Sequence, residues 1–307
     1  MDFLKKLISI QGVSSDESRI CEFIHAYCQS NQNSWKSIPE IIYEPNKHDG
    51  LCLIFGQPKT VIYAHIDTIG YSVGYSNNII PVGSPRYTEG MILVGEDDLG
   101  EIETEIMLFE QPDGDFELKC VFDRTITPGT LLSFKPNFVE TERYIQSPYL
   151  DNRLGVYVAL KVAEKIENGA IVFTTYEEHG GNSVDYFSDF LYRKYDLYQA
   201  LISDITWVTE GVKHGAGVAI SIRDSMLPRK KYLDRIVSIC KKNSLSFQLE
   251  VESAGGSDGS ILQKSHLPIN WCFIGAPENH VHSNKEIVYK YDIDSMINIF
   301  QVLMKEL

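Results

Sequence analysis

Two adjacent acids, Glu177 and Glu178, stand where the apolar run Ala170-Ile171-Val172-Phe173 gives way to Thr174-Thr175-Tyr176-Glu177-Glu178-His179-Gly180-Gly181. The run reads as a buried strand. Neighbouring side chains on an extended strand point to opposite faces. One carboxylate of the pair is therefore expected to bind a cation while the other faces a reacting group. A bare acid pair is more often a solvated turn, so the other strand ends decide the matter.

Those ends carry the same chemistry. His65 and Asp67 follow one apolar run, Asp151 opens a helical stretch, Asp204 closes another strand, and His282 lies in the loop after a further one. Imidazole with carboxylate is the ligand set of zinc and related first-row ions. Two histidines with several acids exceed what one tetrahedral ion needs, which points to two ions sharing a carboxylate. Such ions, about 3.5–4 Å apart, polarise an amide carbonyl and generate hydroxide near neutral pH. Asp67 is placed to accept the ring N–H of His65, fixing its tautomer. His65 alone would read as a core histidine; five candidate ligands at successive strand ends make chance a poor account.

The elements that must hold these residues alternate. Helices are expected over 2–10 and 16–29, the second capped at Ser15 and Ser18. Strands follow at 41–43, 51–55 and 60–64. Between 75 and 144 short β-prone segments alternate with Gly, Pro and Asp-Gly breaks, predicting an inserted small all-β unit of barrel or sandwich type. Beyond it the spacing predicts a helix over 152–167, strands at 170–173, 200–204, 218–222, 246–252 and 269–274, and helices over 229–243 and from about 293. This is an α/β fold, a mixed and mainly parallel sheet flanked by helices. The catalytic domain is expected at 1–74 and 145–307, with the insertion at 75–144.

Composition narrows the partners. The 307 residues include 42 acids against 28 Lys and Arg, a net charge of −14, with no basic cluster. Nucleic acid and anionic membrane are unsuited to such a surface. Cys21, Cys28, Cys52, Cys120, Cys240 and Cys272 show no paired spacing, which fits a reducing compartment rather than a disulfide framework or thiolate zinc site. The opening Met1-Asp2-Phe3-Leu4-Lys5-Lys6 lacks signal-peptide order, and no 18-residue apolar run occurs. A soluble, cytoplasmic protein is expected.

In order, Ala64-His65-Ile66-Asp67-Thr68-Ile69-Gly70, Leu150-Asp151-Asn152-Arg153-Leu154-Gly155, Tyr176-Glu177-Glu178, Ser203-Asp204-Ile205-Thr206 and Val281-His282-Ser283 resemble the dinuclear-metal aminopeptidases of the glutamyl aminopeptidase (cellulase-M-like) family. The start, Leu4 to Ser14, resembles that family too, and the β insertion resembles it least. Its position between His65 and Asp151 favours this family over acylase-type relatives, which place these ligands closer together. The resemblance implies that His65 and Glu178 hold one ion, Asp204 and His282 the other, and Asp151 bridges. It implies Glu177 as general base and a cis Asp151–Asn152 peptide; Asp67, behind His65, is counted with Glu177 among the catalytic residues. Two divalent ions per subunit are implied, zinc first, with cobalt or manganese equally suited to the ligands. The family's insertion mediates assembly, so a homo-oligomer is expected, dodecameric or, since this chain is short for the family, smaller.

Some residues carry two readings. Gly255-Gly256-Ser257-Asp258 fits either a turn at the substrate pocket or a capped helix start. His179 fits pocket or surface, His280 an exposed loop better than a ligand, and His214 and His266 structural positions. Peptide substrates and N-terminal cleavage are the leading expectation. A deacylase or amidase acting on a non-peptide amide is the alternative within the same chemistry, and a non-catalytic metal-binding scaffold the alternative outside it, although a scaffold has no need of Glu177.

Overall fold

The computed structural model describes residues 1–307 except Asn46, Pro112, Asp113, Asp115 and Asn182. In chain order the helices are α1 (Asp2–Ser9), α2 (Ser18–Asn31), α3 (Leu150–Ala163), α4 (Ser183–Tyr195), α5 (Lys230–Lys242), α6 (Asp258–Lys264) and α7 (Lys290–Glu306). The strands before α3 are β1 (Glu40–Tyr43), β2 (Leu51–Phe55), β3 (Val61–His65), β4 (Gly70–Val73), β5 (Ile79–Val82), β6 (Ile92–Asp97), β7 (Gly100–Glu110), β8 (Phe116–Val121), β9 (Leu131–Phe134), β10 (Val139–Glu140) and β11 (Tyr144–Ser147). Those after it are β12 (Gly169–Thr174), β13 (Gln199–Trp207), β14 (Val218–Arg223), β15 (Phe247–Val251), β16 (Asn270–Asn279) and β17 (Glu286–Tyr289).

Two sheets result. The larger runs β1-β2-β12-β3-β13-β16-β17-β11-β10, with β14 and β15 branching from β16. Its centre is parallel: β12 pairs with β3, β3 with β13, and β13 with β16, while antiparallel pairs flank them. Alternation along β2 shows why helices cover both faces. Leu51, Leu53 and Phe55 join the core under α1, α2, α3, α5 and α7, whereas Cys52 and Ile54 join the core under α4 and α6. Burying both faces makes these central strands nearly continuous apolar runs. The smaller sheet, β5-β4-β9-β6-β7-β8, is antiparallel and closes over its own core of Tyr71, Leu93, Ile106, Leu132 and Phe134.

Local differences from the sequence reading have identifiable causes. Helix α2 begins at Ser18 with no side-chain cap, because Ser15 sits at φ 86° and Glu17 occupies the cap position. The Glu17 side chain instead accepts a hydrogen bond from the backbone of Tyr176. Strand β16 extends beyond 274 to Asn279, and β17 pairs with its end, so α7 starts earlier, at Lys290.

Candidate metal centre

The parallel register gathers the site. Thr174 at the end of β12 pairs with His65 at the end of β3, and Asp204 lies on β13 beyond the point where that strand leaves β3. These are the carboxyl ends of neighbouring parallel strands, where open α/β sheets place their ligands. The acid pair is held differently from the sequence reading. Glu177 and Glu178 are not on an extended strand; Tyr176 turns the chain at φ 63° and a 3-10 turn, Glu177–His179, carries both acids. Asp67 shapes that turn, accepting the backbone N–H of Glu177 at 3.1 Å and of Glu178 at 3.0 Å, and the Ser14 hydroxyl at 2.6 Å.

Asp151 and the Asn152 after it join through a cis peptide at the head of α3. The head is pinned to β13: Asn152 donates its amide to Ser203 O at 2.9 Å and accepts from Gly155 N at 2.9 Å, and the Ser203 hydroxyl donates to Gly155 O at 3.0 Å. Glu286 accepts the Leu150 and Asp151 N–H groups at 2.7 and 3.3 Å. Arg153 is buried and donates to the carbonyls of Ile66 and Ile10, tying α3 to the loop after β3.

Two ligand groups emerge. His65, Asp151 and Asp204 offer atoms within 4.8 Å of one another, and so do Asp151, Glu178 and His282. In the first, His65 Nε2 lies 3.3 Å from Asp151 Oδ1 and 3.5 Å from Asp204 Oδ2. In the second, His282 Nε2 lies 3.3 Å from Asp151 Oδ2 and 3.2 Å from Glu178 Oε2. Asp151 thus presents one oxygen to each group, as a bridging carboxylate must. The pairing of the other ligands differs from the one the sequence resemblance implied. Asp204 sits with His65, and Glu178 with His282, because the turn at Tyr176 carries Glu178 past His65 toward the His282 loop.

The residues fit metal ions. Among the described residues neither ring nitrogen of His65 has a hydrogen-bond partner, and Glu178 Oε1 has none. Nδ1 of His65 stands 3.4 Å from Asp67 Oδ1, on the side expected for an orienting contact. Burial raises Glu177 and Glu178 well above the ordinary carboxylate range, and neighbouring carboxylates add to it. Burial opposes charge on His65, yet the carboxylates of Asp204, Asp151 and Asp67 raise its pKa well above the usual value. Burial would raise Asp151 too, but the His282 and His65 rings hold it far below its usual range. Such a crowd of desolvated acids around two imidazoles is the electrostatic demand that divalent cations answer.

Several partners lie beyond the reach of sequence reasoning. Ser257 donates to Asp204 Oδ2 at 2.6 Å and makes no cap for α6, so the Gly255–Asp258 turn reaches the site through a hydroxyl. Asp258, pushed up to about 7 by burial, accepts from Thr174 at 2.6 Å. The loop after β5 contributes Ser84, whose hydroxyl is 2.8 Å from His282 Nδ1. His179 and His280 are exposed; His179 accepts from Gly83 N. His214 stacks on Tyr289 at 4.3 Å, and His266 is exposed.

Comparisons with known proteins agree with this architecture. The model of the M42 glutamyl aminopeptidase family matches residues 116–299, more than half of the chain. Lysyl aminopeptidase of Pyrococcus furiosus is 23% identical over 295 residues, covering 81% of this chain and 82% of that protein. Among solved structures, an aminopeptidase from the archaeon Desulfurococcus kamchatkensis superposes with a TM-score of 0.84 at 20% identity, covering 100% of this chain and 94% of that one. The TET1 peptidase of Pyrococcus horikoshii, described as assembling into a tetrahedron or a large octahedral shell, superposes with a TM-score of 0.80 at 22% identity, over 100% and 99%.

Proposed function

The chain belongs to the M42 glutamyl aminopeptidase family, and from that premise we propose that it removes N-terminal residues from peptides at a centre of two divalent metal ions. The observation that carries this reading is Asp151, whose two oxygens face separate ligand groups. His65, Asp151 and Asp204 would hold one ion; Asp151, Glu178 and His282 would hold the other. Bound there, the ions supply the Lewis acidity that polarises an amide carbonyl and makes water acidic enough to attack near neutral pH.

The chain's own groups do the rest. Glu177 belongs to neither ligand group, lines the cavity and lies 3.9 Å from His65 Nε2. It takes a proton from water and returns it to the leaving amine, and its burial raises its basicity toward the working range of a general base. Asp67 positions the centre by steadying His65 and the backbone of both glutamates. Zinc is the proposed ion, with cobalt and manganese compatible with the same donors.

Assembly and location belong to the same proposal. The inserted unit, expected at 75–144 and built on the smaller sheet of β4 to β9, would mediate homo-oligomerisation and frame access to the site. Supporting this, the smaller sheet exposes Ile80, Phe109, Phe116 and Val121, apolar surface of the kind interfaces cover. A cytoplasmic setting is supported by six free cysteines, all buried. No helix among the described residues is long and apolar enough to cross a membrane.

The test is incubation with a mixed peptide library, with Zn²⁺ or Co²⁺ and with chelator, read by mass spectrometry. Stepwise metal-dependent loss from the N-terminus is expected. Intact peptides under every metal condition would overturn the reading.

A further inference from the structure

The cavity over the metal ligands does not end with them. It measures about 320 Å³ and continues to a wall made by Asp224, Glu250 and Glu252, flanked by Ile205, Trp207 and Phe273. Two strands deliver these acids: Asp224 follows the end of β14, Glu250 lies near the end of β15, and the two strands run parallel. Thr206, two residues beyond Asp204 on the same face of β13, donates its hydroxyl to Glu250 Oε1. The wall is thereby hydrogen-bonded to the strand that carries Asp204. No second metal cluster occurs here among the described residues.

Among the described residues no lysine or arginine lines the cavity, and none pairs with Asp224, Glu250 or Glu252. Asp224 is only 6% exposed. Its Oδ1 accepts the Met226 N–H at 2.5 Å, while Oδ2 has no hydrogen-bond partner among the described residues. Burial raises both Asp224 and Glu250, and the charges of Asp224 and Glu252 raise Glu250 further. Buried like charges facing one space cost free energy that an entering cation recovers.

We propose that this wall is the subsite for the side chain of the substrate's N-terminal residue, and that it selects lysine and arginine. The inference rests on the aminopeptidase reading above and adds the substrate class. A lysyl or arginyl stem packs against Trp207 and Phe273 while its charged end reaches the three carboxylates. A glutamyl or aspartyl side chain would bring a further negative charge against them. A leucyl side chain would cover them and leave them unpaired. Acids that only held the α-amine would serve every peptide alike, so side-chain preference is the discriminating readout.

The experiment uses the metal-loaded full chain and the p-nitroanilides of lysine, arginine, leucine and glutamate. Lysyl and arginyl substrates are expected to exceed the glutamyl one in kcat/KM by about 100-fold or more, and the leucyl one by about tenfold. Asp224→Asn and Glu250→Gln should each lower the lysyl-to-leucyl ratio about tenfold, chiefly through KM. Glu252→Lys, at a half-buried position, should lower it at least as far. A leucyl or glutamyl preference, or a ratio unmoved in all three variants, would overturn the subsite and leave the aminopeptidase standing. Should no anilide be cleaved, the aminopeptidase reading fails, and calorimetric binding of lysinamide against leucinamide decides the subsite. Tighter lysinamide binding that the variants abolish supports it; equal affinities overturn it.

Discussion

Replacing Glu17 by glutamine alters the chemistry of one buried group and almost none of its shape. Glu17 is 1% exposed; Oε1 accepts the Tyr176 N–H at 3.1 Å, and Oε2 has no partner among the described residues. Burial, reinforced by the charge of Asp67, lifts its carboxyl from 4.5 to about 7. The unfolded chain ionises at the ordinary value, so between these limits the folded protein keeps a proton that the unfolded chain has released. The group's contribution to stability is therefore full below pH 4.5 and is lost as pH rises through 7. A gap of 7 − 4.5, at 1.36 kcal/mol per unit, makes the loss about 3 kcal/mol by pH 8. Glutamine keeps the acceptor for Tyr176 and does not titrate. Relative to the native chain, Glu17→Gln should gain about 3 kcal/mol of stability between pH 4.5 and 8. Guanidinium unfolding in chelator at a series of pH values measures this, and the difference between the two proteins cancels titrations they share. A difference that stays constant across the range would refute the reasoning.

Other perturbations test the site itself. Glu177→Gln should lower kcat about 10²- to 10⁴-fold while the metal content, read by atomic absorption, stays the same. Ser257→Ala removes the hydroxyl that holds Asp204 Oδ2, and metal affinity measured against a chelating dye should fall about 10- to 100-fold. Gly155→Ala would drive a methyl into the Asn152 side chain and the Ser203 carbonyl; a loss of roughly 1–3 kcal/mol in stability is expected, with weakened metal binding, by unfolding and dye titration.

The strand-end residues were legible in the sequence because their signal is local. The runs before His65 and before the acid pair announce buried strands, and polar residues at their ends announce a site. Grouping the ligands is another matter. It depends on the left-handed turn at Tyr176, which carries Glu178 toward His282, and no pattern in Thr174-Thr175-Tyr176 signals that turn. Long-range partners are hidden for the same reason: Ser257 meets an acid 53 positions away, and Glu17 meets a backbone N–H 159 positions away. The short strands β11 and β17 escape notice because four residues show no decisive alternation, and pairing with each other and with β10 and β16 makes them strands.

The central claim is that two ions share Asp151. Crystals of the zinc-loaded protein, measured at the zinc absorption edge, test it most directly through an anomalous difference map. The account predicts two peaks about 3.5–4 Å apart, one among His65, Asp151 and Asp204 and the other among Asp151, Glu178 and His282. A single peak, or two peaks with Asp151 outside both, would contradict it.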